Sequence, residues 1–344
     1  MIKFFMDFVQ FLNSTAPLLT SLAIFTLLAV LLSKSIKKHA SIYYTVLAIP
    51  FALVVIPYVT QLFGVELSFF NRIPFMGSII RDYVHFGTFA FPILIIVMYT
   101  GALNPRIPWV KRLLNIRKEL SIISGFPVLT HALIRVTHVF PRSLMYFTNN
   151  QEYTAKYNVA NELGTGISNL SFVLGIVLLV LFIPLWVTSF DAVHKRMGSV
   201  KWKKLQKWAY PFYALLFIHA MGLQLGGLLN SREAPRQAET VAVTAKTGMD
   251  RGSDNKTAVM ANGSRTEGQQ MNDASTKPGE GKSAEAKVVN PQRSGHPRSI
   301  GFADINVSRE VKRYIHIASL LLIFGSYLYF RLGKARKDAA KRRR

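Results

Sequence analysis

Two histidines and one arginine, all inside apolar runs, are the residues of this chain whose types and spacing could do chemistry. The segment "FPVLTHALIRV", residues 126–136, places His131 and Arg135 four residues apart, and a later apolar run carries His219. His131 lies 12 residues past Glu119, where its run begins, and His219 lies 12 past Lys207. At ~1.5 Å of rise per residue both reach a depth of ~18 Å, a little beyond the midplane of a hydrocarbon core ~30 Å thick. Ionisable residues at such depth are costly, face the bundle interior and mark function. Two imidazoles at one depth on facing helices suit the two axial positions of a haem iron, with an apolar slot for the macrocycle. Arg135 is one turn beyond His131 on the same face, where a propionate would sit, and arginine pairs well with carboxylates. The competing readings are two histidines bonding across helices as packing glue and an arginine snorkelling to the interface. Pro127 and Pro211 precede the two histidines, and each weakens its helix locally, giving room for a ring.

The elements that must position these residues are membrane spans. Half of the 344 residues are hydrophobic and the formal net charge is +24, a balance that fits either a nucleic-acid binder or a membrane protein with a charged face. Apolar windows of about 20 residues recur, the length needed to cross a bilayer. They predict seven spans at roughly 16–36, 43–63, 80–100, 119–140, 166–188, 207–228 and 312–332. Of the 42 basic residues, 22 fall in the loops 34–42, 101–118 and 189–208 and in the tail "RLGKARKDAAKRRR", all on alternate sides of the spans. The positive-inside rule then puts the N-terminus outside and the C-terminus in the cytoplasm of a multi-pass plasma-membrane protein. The charge becomes a topology signal facing membrane lipid, and no nucleic-acid partner is expected. The first apolar run stops at the basic "SKSIKK" and reads as stop-transfer, not as a cleaved signal.

There is no cysteine, so disulfides, thiolate catalysis and cysteine-ligated clusters are excluded. No phosphate-binding glycine loop and no soluble nucleotide-binding domain is visible. From about Ser231 to Ser308 the chain is rich in small polar and charged residues and nearly devoid of aromatics. Such a composition cannot bury enough apolar surface to offset its ordering entropy, and predicts a disordered extracytoplasmic loop over 231–310. His39 and His194 sit among lysines, and His296 lies in that loop; all three read as solvated. His85, His138 and His316 fall near the outer surface, where a cluster would bind an acceptor such as a metal ion or a quinone head; the alternative is three interfacial histidines without a task.

The segments "RKELSIISGFPVLTH" and "WKKLQKWAYPFYALLFIHAMG" resemble the ferric reductase-like transmembrane family. That family includes the ferric reductases, the NADPH oxidases and the haem-binding subunit of the bacterial periplasmic methionine sulfoxide reductase system, the last being nearest in style. There a basic segment leads to a histidine on one helix, and a Trp-x-x-Leu-His-Arg-x-x-Tyr segment leads to a second. Here Arg117 precedes His131 by 14 residues, and Trp202, Leu205, Lys207 and Tyr210 lead to His219. The resemblance covers roughly residues 43–228 plus the last span. It implies an all-α integral membrane protein, a six-helix haem bundle with one extra N-terminal helix. The expected organisation is a tail and extra helix over 1–42, a core over 43–230, the loop over 231–310, and the last core helix with a basic cytoplasmic tail over 311–344. It implies one haem b on His131 and His219, and transmembrane electron transfer from a flavoprotein or quinol donor to an extracytoplasmic acceptor. Two-haem relatives carry a further histidine about four turns inward on both ligand helices. Here those positions are Arg117 and Gln206, which do not ligate iron and would instead suit a quinone head or a flavin phosphate. The rival from another class is a haem-free scaffold or transporter whose His and Arg line a polar path.

Overall fold

A computed structural model describes residues 2–67, 84, 87–157, 159–231 and 307–342. Apart from its ends, the expected loop 231–310 lies outside the described residues, and so does His85. The described helices belong to one compact unit, Met1–Pro235 with Phe302–Arg344. No strand occurs among them.

The chain enters through α1 (Ile2–Thr15), α2 (Pro17–Leu31), α3 (Ser33–Lys38) and α4 (Ala40–Gln61). Next come α5 (Ala90–Thr100), α6 (Pro108–Asn115), α7 (Arg117–His138), α8 (Phe140–Thr148) and α9 (Asn150–Lys156). The remainder is α10 (Glu162–Val187), α11 (Asp191–Met197), α12 (Ser199–Gln206), α13 (209–231) and α14 (Arg309–Arg342). Five helical stretches are long and apolar enough to cross a membrane: α4, α7, α10, Ser199–Ser231 and Arg309–Lys337. They coincide with five of the seven predicted spans. The other two correspond to shorter apolar helices, α2 with 15 residues and α5 with 11. Pro17 opens α2, where a missing N–H costs nothing, and α5 follows Gly87, whose φ of +71° is glycine's own region of conformational space.

The basic loops gather at one end of the bundle, called inner here. Lys37 of α3 reaches Glu119 at 2.8 Å, Lys118 of α7 reaches Asp191 of α11 at 2.8 Å, and Lys334 of α14 donates to the Gly101 carbonyl at 3.0 Å. Large apolar side chains face outward along the spans, among them Leu27, Val46, Val180 and Leu322, as expected of surface in contact with lipid tails.

α7 is the central post. On one side Thr130 Oγ1 donates to the Phe51 carbonyl of α4, and Ile134 packs with Val54 and Val84. On another, Trp186 of α10 lies directly over Gly125, where any Cβ would collide with the indole. Its Nε1–H donates to the Ile122 carbonyl at 3.0 Å, one residue before the carbonyl that Pro127 leaves without a helical N–H. α10 and α13 approach through small residues: Gly222 faces Ser171, and Gly226 faces Gly164 and Ser168. This is the close-packed GxxxG type of contact that joins helices in lipid, where no hydrophobic driving force separates apolar surfaces from apolar solvent.

Candidate functional site

His131 and His219 are held alike. His131 Nδ1 lies 3.1 Å from the Val84 carbonyl, and His219 Nδ1 lies 2.7 Å from the Ser171 carbonyl. A carbonyl only accepts, so in both rings Nδ1 carries a proton, and in the neutral ring the lone pair then resides on Nε2. That is the tautomer a metal-binding imidazole needs, fixed by a partner behind the ring. Each ring also rests against a glycine. A Cβ at Gly87 would lie 3.5 Å from the His131 ring, and one at Gly175 would lie 3.3 Å from the His219 ring. At Gly175 even a methyl would ask the ring to give by a few tenths of an ångström, and at Gly87 the positive φ itself favours glycine.

The two histidines share a layer. Val128 and Leu129 of α7, Leu178 and Phe182 of α10 and Phe212 and Leu216 of α13 pack in one apolar cluster with Leu94 of α5. It lies one turn inward of both histidines. On α10, Ser171 and Gly175 meet His219, and Phe172 between them lies under Arg135, whose guanidinium carbon is 5.9 Å from the ring centroid. Arg135 itself is half-buried. Arg135 and His219 thus both meet the stretch Ser171–Gly175 of α10, while His131 meets Val84 and Gly87. The donor set fits an axially ligated haem: two neutral imidazoles of the right tautomer, seated on glycines, above an apolar layer, with one guanidinium on the outer side.

The inner positions have separate partners. Gln206 donates to Thr188 Oγ1 at 3.2 Å at the end of α10. Arg117 lies by Gly101 at the end of α5. No hydrogen bond joins Arg117 to Gln206. Between this level and the histidines the interior is packed with tyrosines: Tyr213 donates to the Leu94 carbonyl at 3.3 Å, and Tyr99 donates to the Ile323 carbonyl at 2.6 Å and stands edge-on to Tyr327. At the outer surface His138 is exposed and edge-on to Tyr58, and His316 lies beside the charge of Arg313. Among the described residues no three His, Asp or Glu side chains come together as a metal site.

Glu119 carries more than its sequence reading as the start of a span. Its side chain is 3% exposed, with Oε1 paired to Lys37 and Oε2 buried without a hydrogen-bond partner. The ion pair ties the N-terminal helices to the post that carries His131. Nothing in the sequence links residues 82 apart; the signal available was an acid at the mouth of an apolar run that needs a cation.

Residues 86–217 match the family described as ferric reductase like transmembrane component. The chain is also similar to an uncharacterized protein of Treponema pallidum (strain Nichols), 27% identical over 204 residues, or 57% of this chain and 50% of that one. The chain thus spans about half the length of this curated relative. No solved structure matches. The match bears out the resemblance read from the His131 and His219 segments. The family described is a transmembrane component, in agreement with the five helical stretches long and apolar enough to cross a membrane.

Proposed function

We propose that the protein carries electrons across a plasma membrane through one b-type haem held between His131 and His219. The donor is a flavoprotein or quinol at the inner end, and the acceptor lies at the outer end. The observation that carries this reading is the paired seating of the two imidazoles, each with Nδ1 on a backbone carbonyl and a glycine against the ring. Packing glue has no need of that shared tautomer. Bound haem would supply the one-electron carrier, and the chain would set its position and potential. His131 and His219 would present Nε2, Val84 and Ser171 would hold the rings through their carbonyls, and Arg135 would pair a propionate. The layer from Leu94 to Leu216 would exclude water. The seven-span topology, with the N-terminus outside, belongs to the same proposal and rests on the gathering of the basic loops at one end.

The test is reconstitution. Purified protein is placed in vesicles enclosing ferricyanide, and dithionite is added outside. Vesicles with the wild-type chain should bleach the enclosed acceptor well above the rate of protein-free vesicles, and the His219→Ala chain should not. A colourless preparation from haem-replete cells, or equal rates in all three, would overturn the proposal.

A further inference from the structure

The lipid-facing side of α2 carries a groove of about 500 Å³. Its wall is one stripe of α2, in which Ala23, Thr26 and Val30 follow one another at helical spacing, and Trp109 of α6 completes it. Ala29 of α2, Ile36 of α3 and Leu113 of α6 pack in one apolar cluster, which brings α3 and α6 to the inner end of that stripe. Both short helices turn cations outward. Val110 and Leu113 are buried, so α6 presents Trp109 and, one turn on, Arg112 to the surface. Helical hydrogen bonds run on across the joint at Leu32, so Lys34 follows Val30 by one turn, and it is exposed. Lys37, by contrast, is engaged by Glu119. Neither 17–38 nor 108–115 contains an acid.

An apolar trough along a span, with two cations at its inner end, repeats the order of a phospholipid, chain and then phosphate. In a bilayer the trough alone selects nothing, because lipid tails are as apolar as leucine. The cations supply the selection, and each one near the surface is worth a factor of roughly five toward an anionic head group. Tryptophan at that level is the side chain that sits between tails and head groups. A second copy of the chain is a poorer occupant. Spans approach closely through small residues, whereas Leu19, Leu22 and Leu27 crowd this groove, and facing copies would set Lys34 and Arg112 against the same cations.

We propose that this groove binds one anionic phospholipid of the inner leaflet, with an acyl chain along Ala23–Val30 and the phosphate between Lys34 and Arg112, beside Trp109. The lipid bridges the N-terminal helices to α6. The site depends neither on the haem nor on the electron path.

The test titrates dioleoyl-phosphatidylglycerol and dioleoyl-phosphatidylcholine, which share their chains, into the delipidated full-length chain in a neutral detergent. Bound lipid per chain is read by native mass spectrometry. The wild type should bind one phosphatidylglycerol roughly 25-fold more tightly than phosphatidylcholine, the product of two such factors. Lys34→Gln and Arg112→Gln should each lose about fivefold of that preference, and Ala23→Trp, which fills the trough, should lose the bound lipid. Lys201→Gln removes one cation from another inner helix, α12, and should leave the preference as it is. Circular dichroism and thermal melts identify the folded variants, and the two charge variants lie on the surface and carry the test if Ala23→Trp does not fold. The proposal is overturned if Lys34→Gln and Arg112→Gln keep the wild-type preference, or if Lys201→Gln loses as much as they do. A dimer that Ala23→Trp splits while the lipid stays bound would overturn it too, and would assign the groove to a second copy.

Discussion

The outer and inner halves of the bundle use the same helices and are filled differently. In the outer half α7 and α13 present His131 and His219, each ring against a glycine and each Nδ1 on a carbonyl. In the inner half α7 presents Gly125 to Trp186, and the interior is closed by Phe182, Phe212, Tyr213 and Tyr99. Glycine serves both halves with opposite results. In the outer half it seats a ring that has a nitrogen to offer. In the inner half it admits an indole whose one polar atom is spent on the Ile122 carbonyl. On the proposed reading, the level that takes the haem and the level packed shut are told apart by what the small residues make room for.

The largest effects should come from exchanging the small residues. Gly125→Leu drives a side chain into Trp186, and overpacking of this kind costs about 1–3 kcal/mol or more; we expect loss of folded protein by size-exclusion chromatography and thermal melting. Gly175→Leu should instead displace the His219 ring, giving a folded, helical protein with little haem. If Gly175→Leu kept a full haem complement, the seating argument would be wrong.

Arg135 sharpens the same contrast electrostatically. Removing a positive charge within roughly 8 Å of a haem should lower its midpoint potential by ~50–100 mV in an effective dielectric of about 20. Redox titration of Arg135→Leu should show that shift, and His138→Ala should show none. Equal potentials in wild type and Arg135→Leu would place the guanidinium away from the haem.

Glu119 and Lys37 test what ties the N-terminal helices to the post. Lys37→Met leaves the buried carboxylate with only the longer ion pair to Lys118 at 3.8 Å and should destabilise by about 1–2 kcal/mol, a range discounted for the exposure of the lysine. Glu119→Gln removes the charge itself and should cost less. Thermal melts in one detergent decide the order, and the reverse order would mean that the pair is not the contact that matters.

The smallest effect concerns Asp191. The hydrogen bond from Lys118 holds its carboxyl below the usual carboxylate range. A depressed folded-state value means that its contribution is present above the unfolded value near ~4 and is lost as pH falls through the folded one. The side chain is exposed, so the contribution is a few tenths of a kcal/mol. Asp191→Asn should melt slightly lower than wild type at neutral pH, and the difference should close as acidification protonates the carboxyl in the folded protein.

Much of this was legible in the sequence, for physical reasons. Five spans, among them the helices of His131 and His219, follow from apolar length, since lipid demands it. The expectation that the two histidines lie at one depth rests on helical rise. What could not be read is what holds the rings. The Val84 and Ser171 carbonyls belong to every residue type, so no side chain announces them. Gly87 and Gly175 gain meaning only once a neighbour is known to lie against them. The span expected over 16–36 holds the shorter helix α2, which ends at Leu32, and the one expected over 80–100 holds α5, most of its stretch before Gly87 lying outside the described residues. Composition alone also left the positions of Arg117 and Gln206 as a matched pair, whereas their side chains turn to different helices.

The haem complement tests the central claim most directly. Pyridine haemochrome content per chain and dithionite-reduced spectra should be measured for wild type, His131→Ala, His219→Ala and His138→Ala purified from haem-replete cells. The account predicts about one haem per chain and a sharp reduced α band for wild type and His138→Ala, as axial ligation by two imidazoles requires. Both the haem and the band should be lost in His131→Ala and His219→Ala. A full reduced α band in His219→Ala would contradict the pairing on which the account rests.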